Sequence, residues 1–157
     1  MINKLRRKKT SDQCMLPAER DPAKTKTLVI DLDETLIYTN FRKPSKYDFS
    51  IEVELKGKMV TGYVSKRFGV EAFLFEMSKS YEIVIFSSSK RRYVDQVLEK
   101  LDPKKEWISY SFAREHCTII NQSYFIKPIR ALGRDLKTII AIDVFFYKCR
   151  IIGCQLL

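Results

Sequence analysis

The sequence lacks several features that would assign it to a membrane, secreted or zinc-bound class. Its four cysteines, at positions 14, 117, 149 and 154, show no CxxC spacing, which argues against structural zinc and indicates a reducing compartment. No apolar core follows the basic amino terminus, so a secretory signal is not expected. The most apolar late stretch, TIIAIDVFFY, is too short to cross a bilayer and contains Asp143, so no transmembrane segment is expected.

The composition is that of one soluble domain with a basic charge balance. The chain has 157 residues, of which 45% are hydrophobic and 31% charged, and this length is enough for a substantial core. Its net charge of +10 favours acidic or phosphorylated partners and says nothing about fold. The basic run between Lys4 and Lys9 is either a signal for nuclear import or anionic surfaces, or a solvated tail. We predict a basic flexible tail at residues 1–26 and one domain at 27–157.

Three short apolar runs alternate with amphipathic segments, which predicts an α/β fold. The runs LVI, YEIVIF and TIIAI are typical of buried strands, and the first strand is expected at residues 27–31. The segments VEAFLFEMSKS and KRRYVDQVLEKL have helical spacing, and the second helix should stop at Asp102-Pro103. LGRDLK resembles a helical turn before the last strand. Strand, helix, strand, helix, strand is the order of a parallel sheet.

Two further regions are expected to lie beside this sheet. Residues 38–66 form an insertion after the first strand, in which YDFSIEVELKGKMVTGYV alternates apolar and polar residues about a Lys56-Gly57-Lys58 turn. That pattern predicts a β-hairpin with one solvated face. WISYSF and SYFIKPI are interpreted as short strands of a smaller subelement.

Each predicted strand of the sheet ends in polar side chains. Asp31 and Asp33 follow the first strand, the serines at 87–89 follow the second, and Asp143 follows the third. In parallel α/β sheets the chemistry gathers beyond the carboxyl ends of the strands. Three such endings in one chain therefore predict a single site.

The residue types at these ends suit phosphoryl chemistry. In extended chain Asp31 and Asp33 face the same side, and two close carboxylates favour a hard cation such as Mg²⁺. One carboxylate could attack phosphorus while the other protonates the leaving alkoxide and later deprotonates water. Such an attack of one anion on another needs neutralisation. Lys127 is a candidate for that role, and Ser87 for a hydrogen bond to a phosphoryl oxygen.

Structural roles compete with these catalytic ones. Asp31 and Asp33 could cap a loop, and the serines at 87–89 could cap the following helix, a position that also attracts anions. Lys127, taken without any resemblance, could be a solvent-exposed lysine.

Arg114 has a similar pair of interpretations. It could assist a substrate, or it could form an ion pair with Glu71 or Glu115.

The segment DLDETL resembles the DxDxT signature of the haloacid dehalogenase superfamily. The later segments YEIVIFSSS, YVDQVLEKLDP, REHC and LGRDLK resemble, in the same order, its RNA polymerase II C-terminal-domain phosphatase branch, which includes the small phosphatases and Dullard-like proteins. The resemblance implies a Rossmann-like α/β fold and an Mg²⁺-dependent protein serine/threonine phosphatase acting through an aspartyl-phosphate. It also implies site roles, which are Asp31 as nucleophile, Asp33 as general acid/base, Ser87 and Lys127 as phosphate-binding residues, and Asp31, Asp33 and Asp143 as the metal site.

The sequence departs from that branch at three places. The residue after Asp143 commonly ligates the metal in the family, but here it is Val144, which cannot. Lys127 precedes Pro128 where the family has aspartate. The tail VFFYKCRIIGCQLL differs from the strand and helix expected there, which predicts that this terminal strand and helix are missing.

Two functions therefore follow as hypotheses. The first is a phosphatase of phosphorylated protein segments, such as those resembling the polymerase C-terminal domain, in the nucleus or cytoplasm. The second is a catalytically weak or inactive protein-binding module, as in a mitochondrial translocase subunit of the same sequence group. Direct nucleic-acid binding is not expected in either case.

Overall fold

A computed structural model describes residues 14–18, 21–121 and 124–144. The predictions for the basic run near the amino terminus, and for a missing strand and helix after residue 144, fall outside these residues and stay predictions. No helix in the described ranges is long and apolar enough to cross a membrane.

The structure has nine strands and two α-helices in the described ranges. In chain order these elements are β1 Lys26–Ile30, β2 Ile37–Asn40, β3 Phe49–Leu55, β4 Lys58–Lys66, α1 Val70–Ser78, β5 Tyr81–Phe86, α2 Arg91–Leu101, β6 Tyr110–Phe112, β7 Thr118–Ile120, β8 Tyr124–Ile126 and β9 Ile139–Ile142.

The central sheet is parallel, with strand order β6-β5-β1-β9. This confirms the predicted α/β fold with a parallel sheet. Its register places Ile30, the last residue of β1, opposite both Ile85 of β5 and Ile142 of β9. The three strands therefore end at nearly the same level, and the polar residues that follow them lie along one edge.

Both faces of this sheet are covered at β1 and β5, which explains why these two strands end in continuous apolar runs rather than in alternating residues. Leu28 and Ile30 point to one face and pack in the cluster that includes α1 and α2 residues. Val29 points to the other face, where it packs with Leu16 and Leu132. Opposite directions for successive residues follow from the pleat of the strand.

The segment predicted as a tail contributes to this second face. Leu16 is buried, and the backbone N–H groups of Met15 and Leu16 donate to the carbonyls of Ala131 and Leu132. Residues 14–18 therefore pack against the domain, which corrects the flexible tail at that point. The division at residue 26 is otherwise a prediction.

The insertion is a three-stranded antiparallel sheet of order β2-β4-β3 rather than a hairpin alone. Lys56 and Gly57, with φ of 51° and 77°, form the two-residue turn between β3 and β4, and Lys58 already belongs to β4. Positive φ at both positions is the geometry that matches the twist of a tight hairpin. The predicted hairpin is thus present, with β2 added at its side.

The predicted smaller subelement is only partly correct. WISYSF contains β6, which pairs with β5 in the central sheet. SYFIKPI contains β8, which pairs with β7. Pairing between distant segments depends on tertiary packing, which a local pattern of residues does not specify.

Candidate active site

Lys127 joins the ends of the first and last strands of the central sheet. Its Nζ donates to Asp31 Oδ1 at 2.6 Å and to Asp143 Oδ2 at 2.7 Å. All three side chains are buried, with exposed fractions of 2%, 9% and 3% for Lys127, Asp31 and Asp143. The interpretation of Lys127 as a solvent lysine is therefore wrong.

Burial and the charges within this cluster shift the pKa values of Lys127 and Asp31. Burial alone would lower the pKa of Lys127, but the Asp31 and Asp143 carboxylates raise it above the ordinary 10.5, so the ammonium stays charged. Burial raises the pKa of Asp31 above the ordinary 3.8, although Lys127 acts in the opposite direction. One ammonium is shared between two carboxylates, so the ionised cluster carries a net negative charge. That excess favours a further cation or a compensating group.

The turn after Asp31 is held in a costly backbone conformation. Glu34 has φ of 64°, a left-handed value that is unfavourable for a residue with a side chain. Arg67 donates to the backbone carbonyls of Glu34 and Thr35, and Thr35 Oγ1 donates to Asp31 Oδ2 at 3.3 Å. These contacts fix the turn that sets the direction of Asp31 and Asp33.

Three hydroxyl groups surround the carboxylate of Asp33. Ser89 Oγ donates to Asp33 Oδ2 at 2.7 Å, Ser87 Oγ donates to the same oxygen at 3.3 Å, and Tyr93 OH donates to Oδ1. Helix α2 begins after Lys90, which is its N-cap and makes no side-chain capping bond. Ser87 and Ser89 thus face Asp33, and the alternative that the serines cap the helix is wrong because its N-cap is Lys90.

Tyr93 connects this carboxylate to the insertion. Its hydroxyl also lies 2.7 Å from Thr39 Oγ1 of β2. Burial raises the pKa of the Tyr93 phenol well above the ordinary 10.0, and Asp33 raises it further. Tyr93 therefore keeps its proton and can hold Asp33 as a donor.

Arg114 lies at the same edge but forms neither of the ion pairs suggested by the sequence. Its Nε donates to the Ser88 carbonyl at 2.7 Å, and its guanidinium lies over the Phe125 ring at 4.6 Å. The two carboxylates proposed as its partners pair elsewhere, Glu71 with Lys66 and Glu115 with Arg91. The ion-pair prediction is wrong, and Arg114 remains beside the site.

An open cavity of about 440 Å³ adjoins the Asp33 cluster. It lies between the insertion and the start of α2, and Asp33, Ser89 and Tyr93 form one end of it. The insertion therefore borders the site without closing over it, because the cavity is partly open to solvent.

The site combines the donors that Mg²⁺ requires, although the ligand set is small. Asp31 and Asp143 direct carboxylate oxygens to a common point, where the Lys127 ammonium lies. In the described ranges, no group of three or more histidine, cysteine or acidic side chains forms a metal cluster. Val144 follows Asp143, is 56% exposed and offers no side-chain ligand. Two carboxylates fit Mg²⁺, which takes few protein ligands and completes its shell with water.

Sequence reasoning did not identify every residue of the site. Thr35 is the last residue of the DxDxT pattern, and that pattern could have indicated it. Ser89 was grouped with the other serines, whereas Tyr93 gave no local signal because an aromatic residue at helical spacing is typical of a core face.

The sequence matches a known family of phosphatases and several of its members. The family model described as NLI interacting factor-like phosphatase matches residues 26–150. The chain is 42% identical over 118 residues to a probable C-terminal domain small phosphatase of Dictyostelium discoideum, a match covering 75% of this chain and 38% of that protein. It is 36% identical over 137 residues to human carboxy-terminal domain RNA polymerase II polypeptide A small phosphatase 1, covering 87% and 52%. The chain thus spans between about a third and a half of the length of these relatives.

Solved structures share the fold at lower identity. Fission yeast RNA polymerase II CTD phosphatase Fcp1 bound to beryllium fluoride superposes with a TM-score of 0.62 at 19% identity, covering 75% of this chain and 36% of that chain. A second structure of Fcp1 gives a TM-score of 0.64 at 17% identity, covering 83% and 42%. These matches identify the haloacid dehalogenase-like fold.

Proposed function

Because the chain belongs to the NLI interacting factor-like phosphatase family, we propose that it hydrolyses phosphoserine or phosphothreonine in protein segments. The observation that carries this proposal is the buried Asp31–Lys127–Asp143 cluster beside the hydroxyl-bound Asp33. A buried carboxylate with an ammonium at its side is suited to attack an anionic phosphoryl group.

The proposed reaction has two steps. In the first, an Asp31 oxygen bonds to phosphorus, the bond from phosphorus to the serine or threonine oxygen breaks, and protonated Asp33 gives its proton to that oxygen. In the second, the Asp33 carboxylate takes a proton from water as the water oxygen bonds to phosphorus. The Asp31–phosphorus bond breaks, and inorganic phosphate leaves.

Neighbouring groups would handle charge and orientation. Lys127 would neutralise the phosphoryl oxygens while holding Asp31 in place, and the Ser87 hydroxyl, now on Asp33, could turn to a phosphoryl oxygen. Bound Mg²⁺, held by Asp31, Asp143 and the Asp33 backbone carbonyl, would supply further neutralisation of the transferred group.

The substrate class follows from the open cavity and from the relatives. A site bordered by a small insertion accepts a protein segment more readily than it encloses a metabolite. The human relative is named for the carboxy-terminal domain of an RNA polymerase II polypeptide, and the Dictyostelium relative for a C-terminal domain, which supports segments of that kind as substrates. A nuclear or cytoplasmic location is consistent with this proposal, and the basic run near the amino terminus favours the nucleus.

A second candidate function rests on Val144. With no side-chain ligand after Asp143, Mg²⁺ would be held less firmly than in a site with three carboxylate or amide side chains. The chain would then bind phosphorylated segments with weak or no turnover.

One experiment separates the two functions. Phosphate release from a phosphoserine peptide should require Mg²⁺, disappear with a chelator, and fall below about one thousandth in Asp31→Asn. Beryllium fluoride should inhibit the wild type and should have no effect on peptide binding by Asp31→Asn. Full activity of Asp31→Asn would rule out the mechanism, and peptide binding without phosphate release by the wild type would favour the binding module.

A further inference from the structure

The cavity beside Asp33 has a cationic wall that the reaction itself does not use. Lys56 comes from the turn between β3 and β4, and Lys90 and Arg92 come from the start of α2. These three side chains line the same cavity although they lie far apart in the sequence.

Their charges are not compensated by neighbouring side chains. Some other cations of the described chain form ion pairs, for example Arg91 with Asp95 and Glu115. Within the described ranges, Lys56, Lys90 and Arg92 form no salt bridge. Two carboxylates, Glu34 and Glu54, also line the cavity, but neither is within bonding distance of these cations.

The cationic wall lies next to the residues that hold Asp33, where a bound substrate would pass. Lys90 directly follows Ser89, whose hydroxyl donates to Asp33, and Arg92 directly precedes Tyr93, which donates to the other oxygen of Asp33. A segment whose phosphorylated residue lies at Asp31 and Asp33 would extend through the cavity past these cations. An anionic side chain on that segment would then find unpaired positive charge.

We propose that Lys56, Lys90 and Arg92 form a second anion-binding subsite, which selects phosphorylated segments that carry a further anionic group near the phosphorylated residue. This inference rests on the proposed function and narrows its substrate class. The shared chemistry is a negative charge, which a carboxylate or a second phosphate can supply. The dianionic phosphate should be preferred because the attraction scales with charge.

The test uses phosphoserine peptides with neutral flanks and variants in which one flanking position at a time is glutamate or a second phosphoserine. For wild-type protein, at least one position should raise kcat/KM by about threefold to tenfold, more for phosphoserine than for glutamate. Lys90→Gln/Arg92→Gln should remove this preference, and Lys90→Glu/Arg92→Glu should reverse it. Lys100→Glu, at the other end of α2, is the matched control and should leave the preference intact. Turnover of p-nitrophenyl phosphate, which has no flanks, should be the same in wild type and Lys100→Glu, and each protein's peptide kcat/KM is divided by its own value for this substrate.

The outcomes keep this inference separate from the proposed function. Two results would overturn the subsite alone. One is equal turnover of all peptides, with no preference for an anionic flank at any position. The other is a preference that is unchanged in Lys90→Gln/Arg92→Gln. Binding of the same peptides to Asp31→Asn, measured by fluorescence anisotropy, supplies a readout without turnover. Absent turnover together with a preference in binding that Lys90→Gln/Arg92→Gln removes would reject the phosphatase and support the subsite. Tighter binding of a single-stranded oligonucleotide than of any peptide, lost in the same variant, would reject a peptide as the occupant.

Discussion

At the scale of single residues, the Tyr93 hydroxyl connects the proposed acid/base Asp33 to β2 through Thr39. Tyr93→Phe removes this hydrogen bond and keeps the ring in place, so kcat should fall by about tenfold with little change in thermal stability. A hydrogen bond to a charged group is worth about 1.5–3 kcal/mol. Tyr81→Phe, at the opposite end of the sheet in β5, is the control and should retain full activity. Equal rates for both variants would show that Tyr93 does not position Asp33.

Lys127 neutralises two buried carboxylates at once, and this dependence can be measured as stability. Lys127→Met leaves Asp31 and Asp143 buried without a cation, and should lower the free energy of unfolding by about 3–5 kcal/mol. Adding Asp143→Asn removes one of the two charges and should recover about 1–3 kcal/mol. Urea unfolding with a chelator present gives both numbers. A double variant no more stable than Lys127→Met would mean that the two carboxylates do not repel each other.

At the scale of elements, Asp102 ends α2 and organises the loop that leads to β6. Its buried carboxylate accepts from the backbone N–H groups of Glu106, Trp107 and Ile108 at 2.9–3.0 Å. Asp102→Ala leaves these donors without their acceptor and should cost about 1–3 kcal/mol. The exposed Asp95→Ala on the same helix breaks only a surface pair and should cost less than about 1 kcal/mol. Chemical denaturation of the two variants compares them directly, and similar midpoints would contradict the structural role of Asp102.

At the scale of elements, part of the structure could be predicted from the sequence and part could not. Strands β1, β5 and β9 and both helices follow from short apolar runs and helical spacing, because these patterns reflect burial of each segment. The position of β6 in the central sheet and the addition of β2 to the insertion were not predicted, since they depend on pairing with distant segments.

The residues of the site also divide into those that the sequence predicted and those that it did not. Asp31, Asp33, residues 87–89 and Asp143 were predicted to converge because parallel strands end at one edge of a sheet. Lys127 follows β8, outside that sheet, so no local pattern placed it at this edge; the need to neutralise charge made it a candidate, and the family resemblance implied its role. Tyr93 was missed because its hydroxyl acts from a helix whose pattern is that of ordinary core packing.

At the scale of the whole molecule, β9 is the edge strand of the central sheet among the residues that the structure describes, and it has apolar residues at its surface. Ile140, Ile142 and Val144 have exposed fractions of 43%, 37% and 56%. An edge strand of this kind favours association with other chains. We expect concentration-dependent association in sedimentation experiments, and a marked decrease in Ile140→Lys, because a charge at an edge opposes pairing. A wild type that sediments as a monomer at every concentration would contradict this expectation.

The contact between Lys127 and Asp31 also has a consequence for biosynthesis, because the two residues are 96 positions apart in the chain. A ribosome adds about 5–20 residues per second, so the Asp31 carboxylate leaves the exit tunnel about 5–20 seconds before its ammonium partner. Strand β1 has its neighbour β5 early, but it cannot pair with β9 until translation has almost reached the end of the described chain. During this interval the nascent chain therefore presents an incomplete sheet with an uncompensated acid at its edge.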